Sequence, residues 1–182
     1  MGINSLAMKK ICINILTSLG VICFFSAYGQ SSAATNLAVE LQSIQSITVN
    51  EAQANVAIAL TTASEYLNGK TSHQADHIKI MSSSNYEIKV SAATNLIGES
   101  SSIDVGTVSL VPSLGSIGGE NNNSLNMSPV ALSLADTTLV QASHGDAERT
   151  FNVDYKVSGG ADYLNKPTGI YSTLITYTIL MP

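Results

Sequence analysis

Cysteine, tryptophan and charged residues are all scarce in this sequence. Its 182 residues include two cysteines, no tryptophan and only 12% charged residues. Both cysteines, Cys12 and Cys23, lie in the first thirty residues, so a chain that begins after that segment has no intramolecular disulfide and no thiol chemistry. The lack of tryptophan and the few aromatic residues argue against a sugar-binding module that stacks pyranose rings on exposed aromatic faces.

The beginning of the chain has the features of a secretory signal peptide. A basic start at Lys9 and Lys10 is followed by an apolar run, and small residues occupy the −3 and −1 positions before Gln30. We therefore predict that residues 1–29 are removed during export. A retained membrane anchor and a lipoprotein attached through Cys23 are the alternatives.

The remaining chain is acidic and of single-domain size. Without its first 29 residues it has 153 residues, six of them basic and thirteen acidic, which gives a net charge of −7. A chain of this length buries roughly 68–70% of its unfolded surface, which is enough for a core without crosslinks. We predict a mobile arm over 30–36, one domain over 37–182 and no membrane span after cleavage. The negative charge argues against nucleic acid as a partner.

Alternating apolar and polar residues predict an all-β fold. The C-terminal stretch 169–180 is almost entirely β-branched, aromatic or aliphatic, with apolar groups on both faces, which predicts an interior strand. Further strands are predicted over 37–42 and 44–49, 56–60, 76–82, 86–92, 103–111, 130–134 with 138–141, and 151–157.

The connections between these strands indicate a two-sheet sandwich. We predict a hairpin from 76–82 and 86–92, a helical turn over 63–67, and one long loop over 112–128 without a packed element. About eight or nine short strands separated by regular turn signals are typical of an immunoglobulin-like sandwich with Greek-key connections.

The most site-like cluster combines His73, Asp76 and His77. On a helix these side chains share one face, and His144 from another loop could complete a metal site. On a strand, however, Asp76 and His77 point to opposite faces. The glutamate of an H-E-x-x-H motif is also missing. The alternatives are a metal site at these four residues and a solvent-exposed polar loop, and we favour the loop.

No catalytic motif is present in the sequence. There is no serine in a G-x-S-x-G turn, and the acid pairs Asp146 with Glu148 and Asp154 with Asp162 are neighbours only in sequence. Asp146 and Glu148, near Asn152 and Asp154, could gather oxygen ligands for calcium, but ordinary surface charge is the favoured interpretation. We predict a protein that is not an enzyme and has no cofactor.

Two stretches resemble secreted bacterial β-sandwich proteins. Residues 168–179 are similar to the closing G-x-Y-x-x-x-I-T-Y-T strand of fimbrial-subunit-like and spore-coat-U-like domains, and residues 78–92 are similar to their strand–turn–strand hairpin. The end of the predicted signal peptide, 27–30, resembles those of Gram-negative surface proteins. The resemblance implies an immunoglobulin-like sandwich with a structural or adhesive role, in the periplasm or on the outer surface of a Gram-negative bacterium.

Several such proteins polymerise by lending an N-terminal strand to a neighbour, and residues 30–49 are long enough to do so. The chain lacks the disulfide of the chaperone-assembled pilins, and its final strand is complete, so the resemblance permits this assembly without implying it. We predict a secreted, non-catalytic surface or fibre subunit. Its candidate partners are a second copy, through residues 30–49, and an extracellular glycan or protein.

The alternative is a soluble extracellular module that binds a glycan or a peptide. Its loops, chiefly 112–128 and 73–77, would then do the binding. A concave pocket lined by Tyr66, Tyr163 or Tyr171 is the feature that would favour this alternative.

Overall fold

The computed structural model of the protein describes residues 31–118 and 125–182. The predicted signal peptide and the middle of the predicted long loop lie outside these residues. Backbone contacts divide the chain into two compact units, Met1–Glu40 and Leu41–Pro182. In the first unit, residues 31–40 have no regular secondary structure and their side chains are exposed. The second unit contains every strand of the described chain.

The described chain has eleven strands, one α-helix and two 3-10 turns. The strands are β1 (Gln45–Val49), β2 (Lys70–Ser82), β3 (Tyr86–Ala92), β4 (Leu96–Ile97), β5 (Ser102–Ile103), β6 (Val108–Leu114), β7 (Leu125–Met127), β8 (Val130–Ala131), β9 (Thr137–Ala142), β10 (Asp146–Val157) and β11 (Ile175–Leu180). The helix is α1 (Ala63–Asn68), and the 3-10 turns are Glu51–Gln53 and Val105–Thr107.

The strands form two antiparallel sheets and one small pair. One sheet has the order β1-β2-β10-β6-β8, the other has the order β11-β3-β9-β7, and β4 pairs with β5. Buried side chains from both sheets form one core. The predicted all-β sandwich is therefore confirmed, while the immunoglobulin-like strand order stays a prediction.

The inner strands show the clearest alternation of apolar and polar residues. In β10, Phe151, Val153 and Tyr155 are buried, while Asn152 and Asp154 between them are half-buried on the other face. Strand β10 lies between β2 and β6, so its apolar residues are covered by both neighbours and by the opposite sheet. This packing explains why the period of two identified the strand from sequence.

The predicted hairpin of 76–82 and 86–92 is wrong. Both segments are strands, but β2 belongs to the five-stranded sheet and β3 to the four-stranded one. The turn between them bonds elsewhere: the Ser83 amide donates to the Ile44 carbonyl, and the Ile44 amide donates to the Ser83 hydroxyl. The chain therefore crosses from one sheet to the other at this turn.

The prediction of an interior final strand is also wrong. Strand β11 is the edge of its sheet and pairs only with β3, and its regular part begins at Ile175. Upstream of it, Ile170 and Leu174 are 86% and 70% exposed. The apolar side chains on one face of the stretch 169–180 are therefore exposed. The sequence pattern is the same whether such a face is exposed or buried.

Two predicted strands near the N-terminus have no pairing partner. Residues 37–42 form no strand, and Leu37, Val39 and Leu41 are 88%, 74% and 91% exposed. Residues 56–60 follow the core with alternate side chains partly buried, yet they join no sheet. Alternation shows that a segment suits a sheet, but pairing requires a neighbour.

The remaining differences concern short elements. The predicted helical turn is confirmed as α1, whose capping box joins Thr62 and Glu65. The predicted strand over 103–111 is divided by the 3-10 turn Val105–Thr107. The predicted loop over 112–128 is shorter, because β6 continues to Leu114 and β7 pairs with β9. Strands of two or three residues raise the strand count above the predicted eight or nine.

Candidate functional site

An apolar cleft of about 900 Å³ opens where the edge strands of the two sheets approach each other. One lip is residues 54–60, which follow β1, and the other is residues 168–174, which precede β11. Apolar side chains of the core form the floor: Leu96, Ile103, Val108, Leu132, Val157 and Ile175. A concave apolar site of this volume is typical of ligand or segment binding.

The backbone of the first lip pairs with no other strand of the described chain. Within the described chain, residues 55–60 make no backbone-to-backbone hydrogen bond. Side chains hold this lip instead: the Lys70 ammonium donates to the Ala59 carbonyl at 2.9 Å, and the Gln53 amide donates to the Ala75 carbonyl at 2.8 Å. Peptide groups left in this way are a template for an added strand.

The second lip is bonded on one side only. The Ala93 amide donates to the Leu174 carbonyl, and Ser172 exchanges two hydrogen bonds with Ile97. The Tyr171 hydroxyl donates to the Pro167 carbonyl at 2.8 Å and lies 2.7 Å from the Ser101 hydroxyl. These bonds fix the lip towards β3 and β4, so its other side borders the cleft.

A chain of hydrogen bonds, here called the relay, lies in the cleft floor and consists of Gln53, His77, Tyr155 and Tyr177. Gln53 Oε1 is 2.9 Å from His77 Nδ1, His77 Nε2 is 2.7 Å from the Tyr155 hydroxyl, and the two tyrosine hydroxyls are 2.7 Å apart. Both tyrosine rings meet the imidazole edge to face. The relay therefore joins the 3-10 turn Glu51–Gln53, which precedes the first lip, to both sheets.

The relay has one direction when His77 is neutral. Because the Gln53 amide nitrogen donates to the Ala75 carbonyl, Gln53 Oε1 must accept, and His77 Nδ1 must carry the proton. His77 Nε2 then accepts from Tyr155, whose oxygen accepts from Tyr177.

Burial keeps the relay uncharged at neutral pH. It lowers the pKa of His77 below its usual 6.5, because desolvation penalises the imidazolium. Burial also raises the pKa of Tyr155 to about 12 and raises that of Tyr177 further. All three groups are therefore neutral at pH 7.

The predicted loop at 73–77 is wrong, because these residues lie within β2. Asp76 has a φ of 48°, and the register of β2 against β10 shifts beside it. Its carboxylate accepts from the Ser116 amide and hydroxyl and from the Thr150 hydroxyl, each at 2.6 Å, and these bonds lower its pKa. This register shift is a β-bulge, and it lets β2 continue through the polar stretch for which the sequence predicted a loop.

The four candidate metal ligands lie in different surroundings. His73 contacts the Asp154 carboxylate, Asp76 fastens residues near Ser116, His77 is buried in the relay, and His144 contacts the neighbouring Ser143 hydroxyl. Within residues 31–118 and 125–182, no three His, Cys, Asp or Glu side chains are gathered so that they could hold a metal ion.

The acid pairs suggested by the sequence are engaged separately. Asp146 is buried against Arg149, and Glu148 contacts the Lys79 ammonium. Asp154 contacts His73.

Sequence reasoning located some residues of the cleft and missed others. Tyr66, Tyr163 and Tyr171, named as markers of a pocket, all line it. Gln53 was missed because it lies in a turn that carries no distinctive signal. The sequence placed Tyr177 on a strand, but its place in the relay depends on the hydrogen bond with Tyr155, which the sequence does not reveal.

No protein-family model and no curated protein matches this chain. The resemblance to fimbrial-subunit-like proteins therefore stays a prediction. In the part of the chain that the structure describes, no helix is both long and apolar enough to cross a membrane.

Proposed function

We propose that this protein is a secreted, non-catalytic structural subunit of a surface fibre, and that each copy accepts in its cleft the N-terminal segment (residues 31–43) of another copy. The support lies in two complementary features of one chain. The cleft offers an unused backbone edge and an apolar floor. The N-terminal segment offers an exposed, alternating apolar stretch without a partner strand.

The pattern of the N-terminal segment suits the cleft. Leu37, Val39 and Leu41 alternate with Ala38 and Glu40, so in an added strand the three apolar side chains all point to one face. The lip 54–60 has seven residues, which span about 23 Å when extended, and the segment 31–43, with thirteen residues, is long enough to match it. An added strand would thus pair along the whole lip.

The N-terminal segment joins the sandwich at a defined point. Ser43 contacts Met181, and Ile44 is bonded to Ser83 at the end of β2. In this proposal the strand that enters the cleft comes from a second copy, as in assembly by strand addition.

The energy of such a contact depends on both side chains and backbone. Burying the three apolar side chains contributes about 5–9 kcal/mol, at about 1.5–3 kcal/mol each. Association costs about 4–15 kcal/mol. Each backbone hydrogen bond adds about 0.5–1.5 kcal/mol, so the unused edge of the first lip decides whether the assembly is stable.

The test is a charge placed on the inserted face. Val39→Asp in the exported chain is expected to abolish filaments in electron micrographs and to leave a monomer in sedimentation, because the charge would enter an apolar floor. Thr35→Asp is the matched control: it adds the same charge to the segment outside the alternating stretch and is expected to leave assembly intact. A wild-type chain that stays monomeric at high concentration would contradict the proposal.

The second candidate function is a soluble binding module for an extended peptide or a glycan. It is favoured by Tyr66, Tyr163 and Tyr171, which line the cleft as that alternative requires. The deciding result would be a monomeric wild-type chain that binds no peptide of residues 34–43 yet retains an unrelated peptide or a glycan on an array.

A further inference from the structure

We propose that the relay of Gln53, His77, Tyr155 and Tyr177 makes the cleft pH-sensitive, so that acid expels an apolar strand from it. This inference rests on the proposed function, because the occupant is the N-terminal segment of a second copy. The geometry that carries it is the single direction of the relay and its place in the cleft floor.

Protonation of His77 forces the relay to reverse. The imidazolium carries a proton on both ring nitrogens, so Nε2 must donate to the Tyr155 oxygen. Tyr155 can then no longer donate to His77 and must donate to Tyr177. The Tyr177 hydroxyl loses its acceptor as a result, and its proton must turn towards the cleft, which Tyr177 lines.

The content of the cleft decides what this reversal costs. Water in an open cleft accepts the displaced Tyr177 proton. An apolar strand excludes that water, so both the hydroxyl and the new positive charge are buried without compensation. Occupancy and protonation of His77 therefore oppose each other, and at a pH where His77 is protonated in the empty cleft, binding of the strand releases that proton.

Among the described residues, the other ionisable groups around the cleft do not take over this role. Lys166 also lines the cleft, and its ammonium donates to the Ser102 carbonyl. Tyr155 on β10 and Tyr177 on β11 stay protonated through the acidic range, because burial raises the pKa of both. On the 3-10 turn, Glu51 is exposed. The charged groups of β10 next to Tyr155, Asp154 and Lys156, lie on the opposite face of that strand.

The charged groups of β2 are also directed elsewhere. Lys70 contacts Glu65, His73 contacts Asp154, Asp76 is bonded to Ser116, and Lys79 contacts Glu148. Strands β1 and β11 carry no charged residue. Desolvation is the cause that lowers the His77 pKa. An inserted strand increases this desolvation and therefore lowers the pKa further.

The experiment uses the exported chain with Val39→Asp, which keeps the cleft but cannot donate its own strand. The probe is a fluorescent peptide of residues 34–43 carrying Glu40→Gln, so that the peptide side chains do not titrate. Binding is followed by fluorescence anisotropy from pH 7.5 to 5. Once the pH is below the His77 pKa of the empty cleft, we expect Kd to rise up to tenfold for each unit of further acidification.

Three variants in the same background identify the relay as the source. His77→Gln keeps a neutral hydrogen-bonding side chain and should give a Kd that does not change with pH. Gln53→Glu places a carboxylate beside the imidazole and should move the rise in Kd to higher pH. His73→Gln, on the outer face of β2, is the matched control and should keep the wild-type dependence.

The outcomes separate this inference from the proposed function. If the peptide does not bind at pH 7.5, the proposed function fails. If it binds with the same Kd throughout the range, the pH-sensitive relay is overturned while the fibre function stands. A slope retained in His77→Gln or lost in His73→Gln also overturns it. Should His77→Gln fail to fold by circular dichroism, the shift in Gln53→Glu decides alone.

Discussion

Replacing Asp146 by alanine tests the buried charge cluster at the end of β10. Arg149 has no exposed surface, and Asp146 is 7% exposed. Arg149 Nε lies 2.7 Å from Asp146 Oδ2 and Nη2 lies 3.1 Å from Oδ1, while the Tyr86 hydroxyl donates to Oδ2 at 2.8 Å. Asp146→Ala removes this counter-ion from a buried guanidinium, which costs about 3–5 kcal/mol of unfolding free energy.

The expected loss is large enough for a simple assay. For a domain of this size each kcal/mol lowers Tm by about 2–4 °C, so Asp146→Ala should lower Tm by about 6–20 °C. Urea unfolding followed by tyrosine fluorescence gives the free energy directly, and an unchanged m-value shows that the folded and unfolded states keep their exposed areas.

Two further variants make the result decisive. Asp146→Ala combined with Arg149→Met removes both charges and should recover part of the lost stability. The recovery is partial because the buried Tyr86 hydroxyl still lacks the acceptor that Asp146 provided. Lys79→Ala breaks the exposed pair with Glu148 and should change the unfolding free energy by less than about 1 kcal/mol. The reasoning is refuted if Asp146→Ala costs no more than Lys79→Ala.

Two other predictions concern Gly69 and Glu65. Gly69→Ala should lower Tm strongly, because the φ of Gly69 is +78° and the added Cβ would lie 1.9 Å from the Val157 carbonyl oxygen. Gly118→Ala is the control and should leave Tm unchanged, because its added Cβ would have nothing within 4 Å. Hydrogen bonds, chiefly from Lys70, lower the Glu65 pKa from 4.5 to about 2, so its contribution is complete above pH 4.5 and is lost as pH falls towards 2. The Tm difference between wild type and Glu65→Gln should therefore shrink over that range, and a constant difference would contradict it.

The sequence predicts the parts of the fold that depend on local pattern. Residues 151–157 of β10 alternate strictly, and the structure buries Phe151 and Val153 completely. The helix α1 was predicted as a helical turn over 63–67, stopped by Asn68-Gly69, and the structure places it at Ala63–Asn68. Both sequence patterns determine the structure of residues close to them in the chain. They can therefore be interpreted without knowing how the rest of the chain folds.

Pairing between distant segments is what the sequence does not reveal. A polar turn at 83–85 looks the same whether the chain returns within a sheet or crosses to the other one. The alternation over 37–42 predicts a strand, yet no segment of the described chain pairs with it. The cleft lies between one lip that joins no sheet and a second lip that is bonded on one side only, and no sequence motif marks either lip.

The N-terminal segment is anchored at the Ser83 turn, whereas the cleft extends from His77 towards the other end of the sandwich. A filament of copies joined in this way would have two chemically different ends. One end would carry an empty cleft, and the other would carry an N-terminal segment that is bound to no neighbour. A copy carrying Val39→Asp would accept a neighbour but pass nothing on, so it would act as a chain terminator. The ratio of intact to terminating copies would then set the mean filament length.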